Sequence, residues 1–120
     1  MSELRSHWRD WRYRGLAPAA RRALRDRKLR AVVHEAAEHV PLYRERFRAA
    51  GLTAAGIRSL DDLDTLPLVR RADLVAVTPD ERLSERAARA ALRTETSSGS
   101  TGQPLTVHLD RTARRSRSLR

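Results

Sequence analysis

No cysteine occurs in the 120 residues, so the chain can form neither a disulfide framework nor a thiolate metal site. Lysine occurs once, at Lys28. A Walker-type phosphate loop, which requires lysine directly after its second glycine, is therefore excluded elsewhere in the chain. Aromatic residues make up 4% of the sequence, with one phenylalanine, and much of the 40% hydrophobic content is alanine. A chain of this length and composition buries only a thin core. No apolar run approaches the ~20 residues that cross a bilayer, and the N-terminus lacks the apolar stretch of a secretion signal, so the expected compartment is the cytoplasm.

Histidine is sparse as well. His7, His34, His39 and His108 are scattered, and His34 and His39 miss the i, i+4 spacing that puts two imidazoles on one helical face, so no metal site is expected. Asp61, Asp62 and Asp64 read as the solvated start of a helix rather than a ligand cluster or an acid/base pair.

Positive charge is plentiful: the formal net charge is +10 and the pI about 11.5. Residues 1–48 carry 13 basic and 6 acidic side chains, whereas residues 49–93 carry seven of each. A basic excess is the electrostatic footprint of a nucleic-acid binder, which stands as an alternative function. The excess is arginine accompanied by abundant alanine, a bias that base composition alone produces, and nucleic acid is not the expected partner.

The most distinctive stretch is Thr96-Ser97-Ser98-Gly99-Ser100-Thr101-Gly102-Gln103-Pro104. Glycines let successive backbone N–H groups converge on one anion, and hydroxyls add uncharged donors, a composition suited to phosphate. Two glycines followed by proline do not make the three-glycine dinucleotide fingerprint. The serines do not meet the Gly-x-Ser-x-Gly nucleophile elbow, and no histidine is tied to them. A flexible Ser/Gly linker is the competing reading. The flanks favour a structured turn, because Leu105 to Leu109 alternates apolar and polar with strand periodicity and Leu92 to Thr96 suits a partner strand. Asp110 then suits the N-cap of a following helix.

Upstream, residues 1–17 form a basic arm with Trp8, Trp11 and Tyr13, expected to pack on its own body rather than on a membrane or partner. Residues 18–91 read as helical and residues 92–120 as strand, loop, strand and helix start. Pro18 suits a first helical turn, and Leu29, Val32, Val33, Ala36 and Val40 predict one apolar stripe. Pro41 ends that helix and begins the next, whose stripe is Tyr43, Phe47 and Ala50, with Gly51 as its C-terminal cap. Ser59 predicts an N-cap for a short helix that packs Leu63 and Leu66 before Pro67, and another short helix holds Asp73, Leu74 and Val77. Thr78-Pro79-Asp80-Glu81 has capping-box spacing and predicts a helix to about Ala91. The final helix offers only Ala113 and Leu119 for burial, so the chain reads as an N-terminal piece of a larger enzyme or a truncated gene product.

Ser97 to Pro104 matches, position for position, the phosphate loop Ser/Thr-Ser-Gly-Ser/Thr-Thr-Gly-x-Pro of the adenylate-forming enzymes, which the chain resembles. Further matches are His39 to Phe47, Gly51-Leu52, Ser59 to Leu63, Leu66-Pro67 and Arg71-Ala72-Asp73-Leu74. Together they resemble the N-terminal region of the phenylacetate–CoA ligase and CapK-like branch over roughly residues 30 to 112.

That resemblance implies an α/β large-domain portion, mostly helical here with a strand–loop–strand around the phosphate loop. It implies ATP, Mg²⁺ and coenzyme A as cofactors and a small carboxylic acid as substrate. Ser98, Gly99, Ser100, Thr101 and Gly102 would surround the phosphates, with Ser97 adjacent. Many adenylate-forming enzymes carry lysine near the end of this loop; Gln103 and Leu105 stand at those positions here. Positive charge is therefore expected from Mg²⁺ and from residues beyond Arg120. The adenine contacts, acyl pocket and catalytic lysine of the family lie downstream, so the piece alone is expected to bind ATP weakly and catalyse nothing. A non-catalytic remnant of the family is a further alternative.

Overall fold

The computed structural model describes residues 15–97, 102 and 104–117. It is mostly helical, with one two-stranded antiparallel sheet. Helix α1 spans Pro18–His39 and α2 spans Pro41–Ala49. Each begins on its proline, whose missing N–H costs nothing in a first turn. Between them Val40 is extended (φ −112°, ψ 112°), as a residue before proline must be, and its side chain is buried.

The core lies where α1 and α2 meet. Val33, Ala37, Phe47 and Ile57 form it, with Leu29, Leu52, Ala54 and Leu66 packed around them. The α1 stripe thus includes Ala37, while Val32 is 67% exposed, because α2 and the 3₁₀ turn Ala54–Gly56 cover the Val33 side of the helix. Leu42, not Ala50, joins Phe47 among the buried residues of α2.

Gly51 ends α2 as expected. Its φ of 65° lets its own N–H reach the Arg48 carbonyl (3.1 Å) and the Leu52 N–H reach the Phe47 carbonyl (2.9 Å), the paired bonds of a Schellman cap. A Cβ here would meet nothing within 4 Å, so substitution tests the backbone alone. Gly51→Ala should cost about 1 kcal/mol, with Gly51→Asn intermediate, since asparagine tolerates the left-handed region. Urea unfolding followed by circular dichroism measures this, and an alanine variant as stable as the parent would contradict it.

After the core the chain runs through short elements. Ser59 caps a 3₁₀ turn, Leu60–Thr65, rather than an α-helix; Asp62 accepts from the Arg58 and Ser59 amides at 2.8 and 2.9 Å. Those donors hold the Asp62 carboxyl below its ordinary range. The turn is stitched to α1, with Leu60 N–H donating to Asp26 at 3.0 Å and Arg30 donating to the Arg58 carbonyl at 2.7 Å. Leu66 packs on the core, while Leu63 stays 43% exposed. Helix α3 is Arg71–Val75 and stops before Val77.

The helix expected over 78–91 does not form. Its capping box exists, with Glu81 accepting from the Thr78 amide at 2.7 Å, yet only a 3₁₀ turn, Asp80–Arg82, follows. Tertiary bonds claim the next residues. Ser84 donates to Glu35 at 2.5 Å, Glu85 N–H donates to the His39 carbonyl at 2.7 Å, and Arg44 grips Glu85 through both carboxylate oxygens. The Glu85 amide satisfies the His39 carbonyl at the open C-terminal end of α1, and together these contacts outweigh the local helical preference of 83–91. A second 3₁₀ turn, Arg89–Ala91, leads into strand β1, Arg93–Thr96. Strand β2, Thr106–Leu109, returns antiparallel to it, and α4, Arg111–Arg117, follows. Asp110 caps α4 by accepting from the Ala113 amide at 2.7 Å. No helix among the described residues is long and apolar enough to cross a membrane.

Candidate functional site

In the sequence, the hydroxyl-and-glycine stretch connects β1 to β2. Arg93 pairs with Leu109, Thr94 with His108, Glu95 with Val107 and Thr96 with Thr106. The same register continues one step further, where Ser97 N–H donates to the Leu105 carbonyl at 2.9 Å. The returning bond is unusual, because the Leu105 N–H donates to Ser97 Oγ at 3.2 Å. A side-chain oxygen thus completes the pairing of Ser97 with Leu105, the described residues on either side of the hydroxyl-and-glycine stretch. A composition-driven linker has no reason to be fastened at both ends in strand register.

Of the expected site residues, Ser97 and Gly102 are described, and both are exposed. Ser98, Gly99, Ser100 and Thr101 lie outside the described residues. A Cβ at Gly102 would meet nothing within 4 Å, so no contact among the described residues demands glycine at this position.

Arg71 was not among the expected site residues. Its guanidinium donates to Ser97 Oγ at 3.4 Å, which brings a positive charge to the base of the loop from 26 residues upstream. Helical or strand periodicity carries no information about such a contact. The only signal in the sequence was the occurrence of Arg71 within the short motif Arg71-Ala72-Asp73-Leu74. Charge near the loop is thus available from inside this chain, in addition to the sources expected beyond Arg120.

Arg71 opens α3, and the start of that helix is held firmly. Asp73 accepts from the Arg70 amide at 2.8 Å and pairs with Arg46 of α2 at 2.6 Å. The Arg70 amide and, after it, the Arg46 guanidinium keep the Asp73 carboxyl below its usual range. The other side of the hairpin has a similar tie, as Arg82 donates to the Thr106 carbonyl at 3.0 Å. Between hairpin and helices lies a cleft lined by Tyr43, Leu74, Leu83, Leu105 and Val107. Among the described residues no group of three or more His, Asp or Glu is placed to hold a metal ion.

No family model matches the chain. Curated relatives do. It is 35% identical over 86 residues to the phenylacetate–coenzyme A ligase of Thermus thermophilus, covering 72% of this chain and 19% of that protein. To the phenylacetate–coenzyme A ligase of Escherichia coli it is 34% identical over 85 residues, covering 71% and 19%. To that of Aromatoleum evansii it is 36% identical over 86 residues, covering 72% and 19%. Among solved structures it resembles 2-hydroxyisobutyryl-CoA ligase, determined in the postadenylation state in complex with 2-HIB-AMP. The TM-score is 0.67 at 25% identity, over 80% of this chain and 21% of that one. The chain spans about a fifth of the length of the curated relatives it matches. Sequence and fold thus agree in matching the chain to a partial stretch of the phenylacetate–coenzyme A ligases and of an adenylate-forming CoA ligase.

Proposed function

We propose that this chain supplies the phosphate-handling portion of an ATP-dependent, AMP-forming carboxylate–CoA ligase. In that reaction a carboxylate oxygen attacks the α-phosphorus of ATP and pyrophosphate leaves. The thiol of coenzyme A then attacks the acyl carbon and AMP departs. The loop from Ser97 to Gly102 would hold the β- and γ-phosphates, on which negative charge accumulates as the bond to the α-phosphate breaks. Donors already aimed at those oxygens lower the barrier without reorganising during the step.

The observation that supports this reading most is the base of the loop. Ser97 closes it through both its amide and its hydroxyl, and Arg71 stands against the same hydroxyl. Hydroxyls, loop amides and a guanidinium make a donor set suited to phosphate oxygens. Mg²⁺ bound to the nucleotide would neutralise phosphate charge. The share this reading assigns to the chain is donation from the loop and from Arg71. A reaction that uses ATP and coenzyme A supports a cytoplasmic location for the protein.

Amide chemical shifts of the ¹⁵N-labelled chain, titrated with inorganic pyrophosphate, test the proposal directly. The amides of Ser97 to Gly102 should shift along one saturable curve, and Arg71→Ala should weaken binding about tenfold, the scale of one charge-assisted hydrogen bond. Shifts confined to the arginines of α1, or no saturable response at the hairpin, would refute it.

A further inference from the structure

Ion pairs among the described residues neutralise Arg22, Arg44, Arg46, Arg48, Arg86 and Arg89. The first half of α1 keeps its charge. Residues 18–30 hold six basic side chains and one acidic one, Asp26, whose carboxylate accepts from the Leu60 N–H at 3.0 Å. Arg22 reaches Asp61, and Arg30 donates to the Arg58 carbonyl. Arg21, Arg25, Arg27 and Lys28 form no ion pair among the described residues.

Arg21, Arg25 and Lys28 stand four and three residues apart, so they line one face of the helix over about 10 Å. It is not the face that Val33 and Ala37 bury, and Arg25 and Lys28 are exposed on it. Arg27 is exposed beside them. Because α1 contains no aromatic residue, the stripe has charge without the bulky side chains that anchor a helix in a bilayer or in a protein partner. A nucleic-acid duplex needs no such anchor. Its backbone presents one negative charge per ~1.7 Å, and release of its counterions drives association. Guanidinium groups also match phosphate oxygens in pairs. Base composition accounts for many arginines but not for three unpaired cations on one face, and that placement revises the expectation against nucleic acid.

We infer that Arg21, Arg25 and Lys28 of α1 form a surface for the phosphodiester backbone of nucleic acid, engaged without base contacts. The inference shares no residue with the phosphate reading of the hairpin and does not depend on it.

The test uses the complete 120-residue chain and a fluorescein-labelled, mixed-sequence DNA duplex of about 20 base pairs, with anisotropy followed across a salt series. Arg25→Gln with Lys28→Gln removes two charges at exposed positions of a helix that glutamine supports. The slope of log K against log salt should fall in magnitude by about two, with an unchanged far-UV circular dichroism spectrum. Arg25→Lys, which keeps the charge, should retain the slope. So should the pair Arg93→Gln and Arg111→Gln, which removes as much charge from β1 and α4. An equal fall in that pair would show that binding follows net charge rather than the stripe, and would overturn the inference. A parental slope in the α1 variant, or no binding of the duplex by the parent chain, would overturn it as well. Association with phosphatidylserine vesicles but not with the duplex would make the partner a membrane and refute the assignment to nucleic acid.

Discussion

Replacing Ser100 and Thr101 together with alanine should lower ATP–pyrophosphate exchange about 100-fold, the loss measured when a preorganised transition-state donor is removed. The assay needs the whole catalytic apparatus. A suitable host is the Thermus thermophilus phenylacetate–CoA ligase in which residues 30–112 of this chain replace the matching stretch, with the unsubstituted chimera as reference. The effect should fall mainly on kcat, because charge builds on the departing diphosphate only as the bond to the α-phosphate breaks. Both hydroxyls are lost while the glycines stay, so the change reports on hydroxyl donation. Exchange at the rate of the unsubstituted chimera would show that the hydroxyls do not serve this step.

Phe47→Ala should cost about 3–5 kcal/mol, the usual range for emptying a buried phenylalanine site. For a domain with few core residues that is a large part of the total stability. Phe47 is the single phenylalanine in the sequence and the largest side chain of a core otherwise made from Val33, Ala37 and Ile57. Its backbone carbonyl also receives the Leu52 N–H that closes the α2 cap. The urea midpoint should fall sharply, and Phe47→Leu should recover most of it because it keeps apolar volume. A midpoint unchanged in the alanine variant would mean that the core does not lie between α1 and α2.

The elements legible in the sequence were those governed by neighbours in the chain. Pro18 and Pro41 start helices because proline constrains its own φ and the residue before it; Gly51 stops one because it accepts a positive φ. Asp110 caps α4, and the alternation from Leu105 to Leu109 gives β2. What was not legible came from contacts distant along the chain. The Thr78 capping box is made, but Glu35, His39 and Arg44 take hold of Ser84 and Glu85 before a helix can propagate. Val32 has the right spacing for the stripe and faces outward because, among the described residues, α2 and the Ala54–Gly56 turn cover the Val33 side instead. At the candidate site the loop itself was readable as a run of donors. Arg71 was not, since its relevance depends on α3 folding back toward the hairpin.

The hairpin reaches the helical body across a cleft, and two hydrogen bonds that bridge it come from arginine side chains: Arg71 to Ser97 and Arg82 to the Thr106 carbonyl. Flexible tethers of this kind yield to small displacements where interlocked apolar side chains would resist. The two described strands can therefore shift against the helical body by rotation of arginine side chains, while Phe47 and its neighbours stay in place.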